Sequence, residues 1–146
     1  MTVVLNHTIV PARNKQEAAG WFAQVFGLSA DGSEGHFASV RVNETLTFLF
    51  ADEPSFERHH YAFHVSEAEF DAILSRVKAN GRAFGSAPWS RGDGKLNDWN
   101  GGRGVYFESP DSHLFELTRL HQLAGCGGAN WLKRLERDIK SRHYSL

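Results

Sequence analysis

Residues 59–81 read HHYAFHVSEAEFDAILSRVKANG, and this stretch decides the fold. Its first part, 60–65, is rich in aromatic and β-branched residues and predicts a strand. Ser66 followed three residues later by Glu69 is a capping box: the serine oxygen serves a backbone N–H of the first helical turn, and the glutamate reaches back to the cap. Phe70, Ile73, Leu74 and Val77 then recur at helical spacing, and Asn80-Gly81 supplies a stop. The chain already contains one such unit upstream. Residues 3–10 are apolar and β-branched until Pro11 breaks them, so they predict a strand. Asn14 and Glu17 make a weaker cap for a helix over 15–26, with Ala18, Trp21, Phe22, Val25 and Phe26 on one face and Gly27 ending it.

Strands follow each unit. Two are expected near 36–42 and 46–51, joined by a polar turn, and two more near 104–108 and 114–120, joined by Ser109-Pro110-Asp111-Ser112. Strand, helix, then strands thus occurs twice within roughly 120 residues, an internal repeat. His7 and His60 occupy the same place in the first strand of each half. Two similar halves about an approximate two-fold would bring equivalent positions together. The expectation is an α+β fold: one domain over 1–120, with modules at about 1–54 and 55–120, and an extension over 121–146. In that extension Trp131, Leu135, Asp138 and Ile139 fall at helical spacing. They predict an amphipathic helix over 130–144, packed on the body or on a second subunit.

The 146 residues carry 16 basic and 17 acidic side chains. Such a balance gives no electrostatic case for nucleic acid or a membrane surface as partner. A single cysteine, Cys126, allows no internal disulfide and suits a reducing compartment. The first 13 residues lack the basic start and apolar core of a secretory leader, and no apolar run reaches the length of a membrane span. A soluble cytoplasmic protein is expected.

The chemistry lies in three polar residues set in apolar strands: His7 in LNHTIV, His60 in RHHYAF and Glu116 in SHLFELT. A polar group in such a place is costly unless something pairs with it. Alternation puts His60 on the side of Ala62 and His64, Glu116 with Leu114 and Thr118, and Tyr106 with Glu108. Taken singly, each histidine is more simply a hydrogen-bonded core residue and the glutamate a solvent-facing one. The recurrence of the histidines at one place in the repeat favours the joint reading. Two imidazoles and one carboxylate that converge would form a facial divalent-metal site with open positions. His64 is a candidate acid–base group or a satisfied interior histidine. His59 points to the other face and reads as structural, and His113, in a turn, as surface. Residues 85–104 are long, Gly-rich and carry Trp89 and Trp99. A structureless stretch of this length is functional or disordered, and its tryptophans suggest a lid. Trp89 and Trp99 would stack on a planar ligand or anchor the loop. Arg91 and Arg103 would clamp an anionic substrate or stay in solvent.

The two modules, the NHTIV and HHYAFHV strands and the ending GVYFESPDSHLFEL resemble the vicinal oxygen chelate superfamily over about residues 3–120. That superfamily includes glyoxalases, bleomycin-resistance proteins, fosfomycin-modifying transferases and extradiol ring-cleaving dioxygenases. The resemblance implies two βαβββ modules forming a half-open barrel of sheet. It places His7, His60 and Glu116 at the metal-ligand positions, commonly completed between two subunits, hence a homodimer. It matches Tyr106 to a tyrosine that touches the metal-bound substrate. The implied cofactor is one divalent ion per site, Fe2+ or Mn2+, with Zn2+, Ni2+ or Co2+ accepted by the same ligand types. The ion would act as a Lewis acid on a chelating small-molecule substrate.

Departures narrow the branch. Glyoxalase-type isomerases carry a fourth ligand, a glutamate, in the strand that reads LTFLF at 46–50 in this chain. Fosfomycin-modifying transferases carry a threonine, a serine and an arginine where this chain has Ile9, Gly104 and Gly125. Extradiol dioxygenases place a histidine shortly before the tyrosine, where this chain has Asn97-Asp98-Trp99; by the resemblance Asn97 or Asp98 would take over its hydrogen bonding to the substrate. Ser112 replaces the usual glycine of the final turn and Ser109 a common aspartate. The expectation is a metal-dependent enzyme with dioxygenase-like or lyase-like chemistry. The alternatives are a fosfomycin-type thiol transferase and a non-enzymatic antibiotic-binding resistance protein.

Overall fold

A computed structural model describes residues 3–32 and 35–119. The helix expected over 130–144 lies outside the described residues. The elements are β1 (His7–Ala12), α1 (Lys15–Phe26), β2 (Ala38–Arg41), β3 (Thr47–Asp52), β4 (His60–His64), α2 (Glu67–Ala79), β5 (Phe84–Gly85), a 3-10 turn (Trp99–Gly101), β6 (Arg103–Glu108) and β7 (Leu114–Arg119). They form two open sheets, ordered β1-β3-β2 and β4-β7-β6-β5. In each, the first strand runs parallel to the last, and the last is antiparallel to the one before it. Ala30 bridges Val40 as β5 pairs with β6, so a single residue stands in the first module for the fourth strand of the second. The fold is α+β, with the expected repeat.

Local chemistry explains the boundaries. Asn14 Oδ1 accepts from the N–H groups of Gln16 and Glu17 at 3.0 and 3.1 Å, and Gly27 takes the left-handed conformation that ends α1. The Ser66–Glu69 box is reciprocal. The first strand was expected over 3–10 and lies over His7–Ala12. It runs through Pro11 because β1 is an edge strand, where a missing N–H is tolerated. Val3 and Leu5 stay 93% and 63% exposed. No helix among the described residues is long and apolar enough to cross a membrane.

The core sits where α1 wedges between the sheets. Phe22 stacks on Phe48 of the first sheet at 5.0 Å and meets Phe115 of the second at 5.7 Å. Burying such rings contributes roughly 1.5–3 kcal/mol each. His113, read from its turn as a surface residue, is buried at 2% exposure instead, because the β6–β7 turn folds onto the end of β1. Burial, opposed by its bond to the Pro11 carbonyl, holds its imidazole below the ordinary histidine value. His59 is structural as expected: its Nδ1 lies 2.7 Å from the Tyr61 hydroxyl, which burial pushes up to about 12.

Candidate functional site

Alternation gives the second sheet two faces. Phe63, Val105, Phe107, Phe115 and Leu117 turn to the core. The opposite face carries His60, Ala62 and His64 from β4, exposed. Leu114, Glu116 and Thr118 of β7 share it, as do Gly104, Tyr106 and Glu108 of β6. The register sets Tyr106, Glu116 and Ala62 in one row, with Glu116 on the central strand of the three.

The Glu116 carboxylate is gripped at both oxygens. The Tyr106 hydroxyl donates to Oε1 at 2.7 Å, and His60 Nε2 lies 3.0 Å from Oε2. Glu116 is buried at 7% exposure, which suits a carboxylate only when it is paired. Burial, with the neighbouring carboxylate adding to it, holds the Tyr106 hydroxyl well above the ordinary phenol value, so it remains a donor. The pair fits a divalent ion: two ligands at right angles, each with a bond of roughly 2.0–2.2 Å, stand about 3 Å apart.

One chain joins two of the three expected ligands. Exposed His7 sits on β1 with its Nδ1 2.8 Å from Asn6 Oδ1. Among the described residues, no group of three or more histidine, cysteine, aspartate or glutamate side chains could hold a metal ion. His64 lies on the same open face as His60, paired along the ladder with Thr118.

The Gly-rich stretch folds back over this face. Trp99 lies 6.1 Å from Tyr106, and Trp89 lies 6.2 Å from Trp99, ring centre to ring centre. Asn97 anchors the loop: its backbone exchanges two 3.0 Å hydrogen bonds with Gly104, its Nδ2 donates to the Ser86 carbonyl at 2.9 Å, and its Oδ1 accepts from Trp99 N–H at 3.3 Å. Space is tight at two of the glycines. A Cβ on Gly104 would lie 2.7 Å from Asn97 Nδ2, and one on Gly85 2.6 Å from the Ser90 carbonyl carbon. Arg103 does not face the site. Its odd parity against Tyr106 turns it to α2, where it pairs with Glu67 and Asp71 and lies 4.4 Å over the Phe70 ring. Arg91 pairs with Glu108, and Arg58 lies 3.6 Å from the same Glu108 oxygen. Arg58, which the sequence reading did not single out, precedes β4 and is exposed.

A family model described as Glyoxalase/Bleomycin resistance protein/Dioxygenase superfamily matches residues 4–117. Among solved structures, Oxidase ChaP-H2 is 36% identical, covering 86% of this chain and 100% of that one with a TM-score of 0.79. Oxidase ChaP-H1 is 35% identical, covering 85% and 100%, with a TM-score of 0.77. The fosfomycin resistance protein FosX from Listeria monocytogenes shares the fold at 20% identity, covering 84% and 97%, with a TM-score of 0.64. No curated protein matches the chain.

Proposed function

The chain belongs to the Glyoxalase/Bleomycin resistance protein/Dioxygenase superfamily, and from that membership we propose that it is a metal-dependent enzyme with oxygenase-like or lyase-like chemistry on a small, planar, chelating substrate. The observation that carries the reading is Glu116, held between the Tyr106 hydroxyl and His60 on an open sheet face at the spacing of two adjacent metal ligands. The third ligand is His7 of a second copy. In a two-fold homodimer each β1 lends its histidine to the other chain's His60 and Glu116, giving two equivalent sites. Val3, Val4, Leu5 and Ile9 expose apolar surface around His7, as an interface requires.

Bound there, Fe2+ or Mn2+ would act as a Lewis acid on the substrate oxygens. The protein's residues do the rest. Tyr106, kept protonated, presents its O–H at the edge of the site and turns it from Glu116 to a substrate oxygen. His64, on the same face, takes up or returns the proton. Trp99 and Trp89 cover the planar substrate and exclude water. Two oxidases at 36% and 35% identity favour oxidation by dioxygen over thiol transfer. So do Ile9 and Gly104, which stand where transferases carry threonine and serine. A cytoplasmic setting suits a chain with one cysteine.

Metal content tests the reading. Protein reconstituted with Fe2+ or Mn2+ retains about one ion per chain after desalting, as a three-ligand site demands, and Glu116→Ala and His60→Ala lose it. Oxygen uptake under Fe2+, without thiol consumption under Mn2+, selects the oxygenase. Wild-type protein that stays metal-free yet binds an aromatic drug refutes it.

A further inference from the structure

We propose that His113 is a positioning residue that sets the spacing of the three ligand-bearing strands; the proposal rests on reading His7, His60 and Glu116 as ligands. His113 stands immediately before β7, three residues ahead of Glu116. Its Nδ1 accepts the backbone N–H of His59, the residue adjoining His60, at 2.9 Å. Its Nε2 donates to the carbonyl of Pro11, in the strand that carries His7, at 2.7 Å. One buried ring therefore touches β1, β4 and β7.

Both nitrogens are used in opposite senses, which fixes the Nε2–H tautomer. Only a side chain with a donor and an acceptor on separate edges makes this bridge. Among the described residues no ladder joins the two sheets, so the distance from β1 to β7 is set by packing around α1 and by polar straps at this turn. Arg13 provides a second strap: its Nη2 donates to the Pro110 carbonyl at 2.7 Å, and its Nε lies 3.1 Å from Asp111 Oδ1. That strap is solvent-exposed and weaker for it. Metal ligands must sit within roughly 0.2 Å of their places. In a two-fold dimer the β1-to-β7 spacing within each chain also dictates where each His7 meets the other chain's carboxylate. A buried two-ended bridge supplies that precision.

The test uses full-length His113→Phe, which keeps ring volume without the hydrogen bonds; His113→Gln, which restores a donor and an acceptor; and Val77→Ala, a buried α2 change remote from the turn. Mn2+ affinity, the Mn2+ electron paramagnetic resonance line shape and the melting midpoint are measured for each, with Glu116→Ala as reference. His113→Phe should bind Mn2+ about tenfold or more weakly, the usual effect of removing a partner that orients a site, and with an altered line shape. His113→Gln should recover most of the affinity, and Val77→Ala should keep it despite a comparable fall in midpoint. Wild-type affinity and line shape in His113→Phe overturn the proposal, as does an equal loss in Val77→Ala. If His113→Phe does not fold, His113→Asn, too short to span both partners, replaces it with the same outcomes. If wild-type protein binds no Mn2+, the ligand reading fails separately. Amide exchange then decides: faster exchange over residues 7–12 and 59–64 in His113→Phe than in Val77→Ala sustains the brace, and equal exchange overturns it.

Discussion

Two inactive variants should complement each other. His7→Ala and Glu116→Ala are each made alone, mixed in equal amounts, unfolded and refolded together. If every site takes His7 from one chain and His60 with Glu116 from the other, a mixed dimer has one site lacking both residues and one complete site. Random assortment makes half the dimers mixed, and half of the sites in those are whole. About one quarter of wild-type metal content and turnover therefore returns. A site within one chain would return none. The variants should fold: removing Glu116 leaves the Tyr106 hydroxyl without its acceptor, at about 1–3 kcal/mol, within the roughly 5–15 kcal/mol stability of a domain. The assays are bound metal after desalting and oxygen uptake. Mixing His60→Ala with Glu116→Ala is the control, because both lesions lie in the same half of the site and no dimer is repaired. Recovery no greater than the mean of the two parents would refute the shared site, as would recovery in the control.

Further predictions concern stability and the loop. His113 is held neutral by the fold, with His59, Tyr61 and Asp111 packed about it. Its contribution is therefore fully present above the unfolded value of about 6.5 and is lost as pH falls through its lower folded value; melting midpoints from pH 8 to pH 5 should drop less in His113→Gln than in wild type. Gly85→Ala places a Cβ against the Ser90 carbonyl, so the loop must move at a cost of about 1–3 kcal/mol, read as a change in tryptophan fluorescence and faster proteolysis within residues 86–102. Phe22→Ala removes the ring shared by both sheets and should cost about 3–5 kcal/mol in urea unfolding.

The helices were legible because their ends are written in side chains: Asn14 with Gly27, and Ser66 with Glu69. β5 and the Ala30 bridge were not, since one or two residues carry no alternation. Val3, Val4 and Leu5 read as strand because they are apolar and β-branched or follow such residues, yet they stay exposed and pair with no strand among the described residues. His60, Glu116 and Tyr106 were legible as neighbours, because each lies in a strand of the second module and alternation turns all three to one face. The placement of His7 was not, since it lies on β1 of the other sheet, outside the ladder that sets the register of those three. His113 escaped because its partner carbonyl lies 102 residues away. Arg103 followed a rule that was available: it is an odd number of residues from Tyr106, so its side chain leaves the sheet on the other side.

The amide of Asn97 occupies the volume above Gly104 that any side chain at 104 would need. A residue larger than glycine there would turn that amide aside and cost the loop its hold on the Ser86 carbonyl. Positions 97 and 104 are therefore coupled: a change at one is felt at the other, and the two are best varied together.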